Sequence, residues 1–145
     1  MLLLNIFTVG GFMLVEKDVQ QILSQLAGGE SIKIPFDGSD VIVRIIDEAS
    51  KLSLTASVYE GGNYIPGSVR NCLSHKSPFS HHQVRTYLTL DENQFQVKLN
   101  YLGQAQDLDH HQFKDLLEDF GIMAEKWRYY LEQHGKNDLV YVRVK

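Results

Sequence analysis

A chain of 145 residues with a formal charge of −4 is long enough for one domain with its own core, and needs no covalent staple. Its single cysteine, Cys72, excludes an intramolecular disulfide and suits a reducing compartment. Eighteen acidic residues against fourteen basic ones, the latter scattered singly, argue against direct nucleic-acid binding, which needs a basic face.

Residues 1–15 read MLLLNIFTVGGFMLV. This run has no basic residue before Lys17 and no small-residue cleavage site, and it is too short and interrupted to span a bilayer. Met13 directly precedes the first amphipathic pattern, so residues 1–12 are expected to be an upstream extension of a single domain, 13–145. An added strand or docking segment and a targeting signal are the other readings of that stretch.

Val15, Val19, Ile22, Leu23 and Leu26 then line one face of a first helix, with Glu16 and Asp18 near its positive end and Gly28 and Gly29 placed to stop it. Ile32, Ile34 and Phe36 alternate as a short strand, the turn residues Asp37, Gly38, Ser39 and Asp40 follow, and 41–46 resumes as a second strand. Leu52, Leu54, Ala56 and Val58 alternate with polar neighbours as a third strand, completing a meander. The stretch 60–82 is irregular, broken by Gly61, Gly62, Pro66, Gly67 and Pro78, with a short helix expected near 68–74. Tyr64, Ile65, Val69, Leu73 and Phe79 bring apolar side chains into this stretch, where little regular structure would bury them. They are therefore candidate partner-binding residues.

Val84, Thr86, Leu88 and Leu90 alternate toward Asp91 and Asn93, and Phe95, Val97, Leu99 and Tyr101 alternate away, which predicts a hairpin. A long helix follows over 109–134. Phe113, Leu116, Leu117, Phe120, Met123, Trp127, Tyr130 and Leu131 fall on one face, and Lys114, Asp115, Glu118, Asp119, Glu125, Arg128 and Glu132 on the other. About 25 residues of helix span roughly 38 Å, so the stripe needs a broad surface, which its own sheet supplies. Trp127 and Tyr130, at the overhanging end, are further candidate partner contacts. A turn over 135–138 is expected to lead into a final strand, 139–144, whose Arg143 blunts an exposed edge. The predicted class is α+β, an antiparallel twisted sheet of about five or six strands packed with an N-terminal helix and a long C-terminal amphipathic helix.

No catalytic constellation stands out. Cys72, His75, His81 and His82 form a C-x2-H-x5-H-H arrangement too irregular for a zinc site, so no metal and no cofactor is expected. His110 and His111 read as solvated or capping residues at the start of the long helix. There is no nucleophile elbow, phosphate loop or dinucleotide fingerprint, so the chain is not expected to be an enzyme. Function lies in surfaces.

The order of elements, the size and the acidic balance resemble the type III secretion chaperones. The segments LVEKDVQQIL, IPFDGSDVIVR, LSLTASVYEGG and FGIMAEKWRYYLEQHG resemble the small, heterodimerising chlamydial members of that family over 13–145. The resemblance implies a cytoplasmic bacterial protein, not inserted in a membrane, that pairs with a second type III chaperone. Together they hold a secreted gatekeeper or effector protein competent for export. It further implies contact with the sigma and beta subunits of RNA polymerase, as a transcription regulator acting without direct nucleic-acid contact. The expected final strand departs from the family's pattern and puts its usual homodimer surface in doubt.

Overall fold

The computed structural model describes residues 2–3, 16–36, 39–74, 77–79, 85–106 and 108–144, with 2–3, 16, 39 and 137–144 described as backbone only. Strand β1 (Leu2–Leu3) is followed by α1 (Glu16–Ala27), the meander β2 (Ile32–Phe36), β3 (Ser39–Ile46) and β4 (Lys51–Glu60), and a short helix α2 (Gly67–Asn71). The hairpin β5 (Tyr87–Asp91) and β6 (Gln96–Gln104) and the long helix α3 (His110–Val144) complete the order. The sheet runs β1-β2-β3-β4-β6-β5, with five antiparallel strands and β1 parallel to β2 at one margin. The predicted turn at Asp37 and Gly38 lies outside the described residues.

The two faces of the sheet follow from the alternation in sequence. Ile32, Ile34, Val41, Val43, Leu52, Leu54, Ala56, Val58, Val97 and Leu99 are all buried beneath the helices. α3 lies along β4 and also touches α1 and α2, so its apolar stripe, including Phe113, Leu117, Phe120 and Leu131, closes one core with the sheet. On the other face, Thr55, Asn100 and Thr89 form a polar ladder. Thr55 Oγ1 donates to Asn100 Oδ1 at 3.3 Å, and Asn100 Nδ2 donates to Thr89 Oγ1 at 2.9 Å. Such cross-strand pairs hold register on the polar face of the sheet.

The β5–β6 turn is built on Asp91, whose Oδ1 accepts from the N–H groups of Asn93 and Gln94, both at 3.1 Å. The Gln94 N–H is the main reason its carboxyl sits below the ordinary 3.8, with Lys98 adding to the effect at 3.4 Å. A carboxyl with a depressed folded pKa stabilises the fold above its ordinary pKa, and that contribution is lost as pH falls through the depressed value. Asp91→Asn keeps an acceptor oxygen but loses the charge. Its thermal midpoint is expected to lie below wild type by no more than a few degrees at pH 7. The gap should close on acidification past 3.8. A gap independent of pH would show that the carboxylate charge plays no part.

The expected terminal strand is corrected. Residues 139–144 continue α3 as helix, and the predicted turn at 135–138 is helical as well. Gly135 costs only about 1 kcal/mol inside a helix, and propagation past it needs no new nucleus because α3 is already formed. Gly135 is also buried, and a β-carbon there would lie 2.8 Å from the Tyr59 hydroxyl, so the glycine lets helix and strand approach closely. The helix runs on roughly 13 Å beyond this contact.

Candidate protein-binding surfaces

The α1 end, the β3–β4 turn and the start of α3 converge on an apolar cleft. α1 stops where Gly28 and Gly29 return their N–H groups to the carbonyls of Gln25 and Leu26, at 3.1 and 3.0 Å, with Gly29 at φ +84°. That arrested turn presents Leu23, Leu26 and Ala27 at the cleft wall. Across from it, Asp47, Glu48 and Ala49 all take positive φ, at 53°, 56° and 68°. Three successive non-glycine residues in this region are costly. The turn is held by Ser50, whose hydroxyl and N–H both donate to Asp47 O, at 2.6 and 3.1 Å.

The third wall is fixed by a reciprocal cap. Asp109 Oδ1 accepts from Gln112 N–H at 2.8 Å, and Gln112 Oε1 accepts from Asp109 N–H at 3.1 Å, which satisfies two free donors at the start of α3. Asp109 is thus the capping residue, and His110 and His111 are exposed beside it. The cap places Leu108 and buried Phe113 on the cleft, and Ala105 is tied in by its N–H to Ser50 O at 3.0 Å. The cleft has a volume of about 350 Å³. None of its lining residues carries a charge, so it suits apolar side chains.

The seven residues singled out in the sequence divide. Ile65 and Val69 are fully buried in the chain's own core, because α2 docks on α3 and Ser68 Oγ donates to His134 O at 2.9 Å. Trp127 is also buried, and forms an edge-to-face cluster with Phe79 and Tyr130 at centroid distances of 5.2 to 5.9 Å. Leu73, Phe79 and Tyr130 are half-buried, and Tyr64 stands apart at 51% exposure. Leu73 and the buried Trp127 line a second, smaller cleft of about 240 Å³, shared with Tyr87 and Leu88 of β5. Tyr87 is 52% exposed.

Sequence reasoning missed the larger cleft. Leu23, Leu26 and Phe113 were assigned to core stripes, and no local signal marks Ala49, Ala105 and Leu108 as their neighbours. It also missed Ile46, Leu102 and Ile122 as large exposed apolar residues.

Cys72 is a buried free thiol, its Sγ donating to Ser68 O at 3.3 Å, and burial pushes its pKa up. That is the opposite of what a nucleophilic thiol requires. Among the described residues no three His, Cys, Asp or Glu side chains are placed to share a metal ion; His75, His81 and His82 lie outside them. Among the described residues no helix is long and apolar enough to cross a membrane.

No protein-family model matches the chain, and no curated protein matches it. Solved structures do. A chain of the ExsC–ExsE complex aligns with a TM-score of 0.58 at 20% identity, over 81% of this chain and 96% of that one. A chain of the heterodimeric ExoU–SpcU complex from the type III secretion system of Pseudomonas aeruginosa aligns at 0.55 and 14% identity, over 83% and 99%. The α+β architecture, with its five-stranded antiparallel sheet and long C-terminal helix, is therefore the fold of the type III secretion chaperones.

Proposed function

We propose that this chain is a type III secretion chaperone, a protein that binds a secreted partner and keeps part of it extended until export. The observation that carries this is the apolar cleft between α1, the β3–β4 turn and the capped start of α3. An extended segment needs pockets for alternate side chains and backbone partners at a strand edge, and an uncharged cleft beside a sheet suits the first need. The neighbours in fold support the reading, since both were solved as complexes with another protein. Turnover requires no active site, only binding that can be released.

The finer reading is that the chain pairs with a second chaperone and serves a secreted gatekeeper protein. The smaller cleft around Leu73 and Tyr87 is offered for that pairing, and exposed Tyr64 is a separate candidate contact. Contact with polymerase subunits rests on the sequence resemblance alone.

Two substitutions test the larger cleft without touching the core. Ala27 and Ala49 are both exposed on its rim. Ala27→Lys places a cation at the C-terminal end of α1, where the helix dipole favours it, and Ala49→Asp places at positive φ a residue that tolerates it. Each is expected to weaken binding of the secreted partner about tenfold or more, or about 1.4 kcal/mol, with the thermal midpoint nearly unchanged. Unchanged affinity in both, measured by calorimetry, would move the site elsewhere.

A further inference from the structure

We propose that Leu2 and Leu3 form a resident strand on the outer edge of β2, in the place an extended apolar segment of a protein partner takes when it docks. The first residues of this chain and the partner then compete for one sheet edge. This rests on the protein-binding reading above and specifies part of its site.

The pairing itself is the evidence. β1 lies parallel to β2 through two positions, Leu2 opposite Ile32 and Leu3 opposite Lys33, whereas every other neighbouring pair in the sheet is antiparallel. The meander and the hairpin account for three of the antiparallel pairs, and β4 and β6 form the fourth across the segment that holds α2 and β5. β1 reaches β2 across α1, the crossover a parallel pair requires, and its two rungs use the same backbone pairing at the sheet margin that a docking strand uses. Two rungs cover only part of β2, since Ile34, Pro35 and Phe36 have no β1 partner. Pro35 has no N–H to donate, which fits a strand at the sheet margin and limits what a docking strand can engage beyond Lys33.

The position ties this edge to the apolar cleft. Gly29 lines the cleft and Ile32, where Leu2 pairs, begins β2 three residues later. A partner segment with a side chain in the cleft can therefore continue onto the β2 edge. Ile32, Ile34 and Phe36 are buried on the helix-covered face, so the strand offering its edge is firmly held. An apolar sequence, a parallel register and a short hold together make the resident strand displaceable.

The test uses the full chain, the full chain with Leu3→Pro, and a chain beginning at Met13. Hydrogen exchange at Lys33 is expected to be at least tenfold faster in both altered chains, because a proline at position 3 breaks the pairing and truncation removes it. A synthetic peptide of residues 1–12 with a short lysine tail is the probe. It is expected to bind both altered chains at least tenfold more tightly than the full chain and to restore the protection at Lys33. The same peptide carrying Leu3→Pro should do neither. Equal peptide binding by all three chains, or Lys33 exchange indifferent to both changes, would overturn the proposal. If the chain beginning at Met13 does not fold, the Leu3→Pro chain decides alone. No secreted partner enters this test, so its failure leaves the cleft reading standing, and failure of the rim variants leaves this one standing.

Discussion

Ile65→Asp is expected to unfold the chain. Ile65 is 1% exposed, in the segment between β4 and α2, and its carbonyl accepts from Arg70 Nε at 3.2 Å. Truncating a buried isoleucine to alanine costs about 2–5 kcal/mol, and an unpaired carboxylate in its place costs more. The loss therefore approaches the whole stability of an ordinary domain of this size. The contrast is Tyr64→Asp, one residue away and half exposed, expected to stay within about 0.5 kcal/mol of wild type while weakening any pairing through that surface. Urea denaturation of both separates the two roles. A folded Ile65→Asp chain that merely loses a partner would show that α2 does not dock on α3 as described.

Phe120→Ala carries the second large effect. Phe120 is fully buried in α3, and removing its ring is expected to cost about 3–5 kcal/mol. For a chain of this length that lowers the thermal midpoint by roughly 10 °C or more. Ile122, two residues on, is 40% exposed, and Ile122→Ala should change stability by no more than about 0.5 kcal/mol. Equal effects at the two positions would mean that the helix is rotated from its described phase.

Period-two and period-3.6 patterns made most of this fold legible, because burial on one face leaves a direct imprint on residue type. Leu52, Leu54, Ala56 and Val58 read as a strand and are one, each 1% exposed or less. The same rule misled at 139–144, where Val140, Val142 and Val144 alternate as in a strand but extend an existing helix. Local propensity is weak against a helix already nucleated and packed for more than twenty residues. The short helix expected near 68–74 is present, as α2 and a 3-10 turn at Cys72–Ser74, but its docking on α3 was concealed for a different reason. Five residues of α2 are too few to show a period, yet Pro66 leads into them and Val69 seals them against α3.

The apolar cleft was the least legible feature. It joins Leu23, Ile45, Leu52, Ala105 and Phe113, which are brought together only by the sheet and by the caps of two helices. The β3–β4 turn on its rim contains no glycine despite three residues at positive φ, so its left-handed path leaves no sign in the sequence.

Hydrogen exchange on the chain with the proposed secreted partner bound tests the central claim most directly. The account predicts slowed exchange confined to the three cleft walls, at 23–29, at 45–52 and at 105–106 with 108–113, and little change at Lys33, where a docking segment takes the place of β1. Protection limited to the polar sheet face around Thr55 and Asn100, with the cleft walls unchanged, would contradict it.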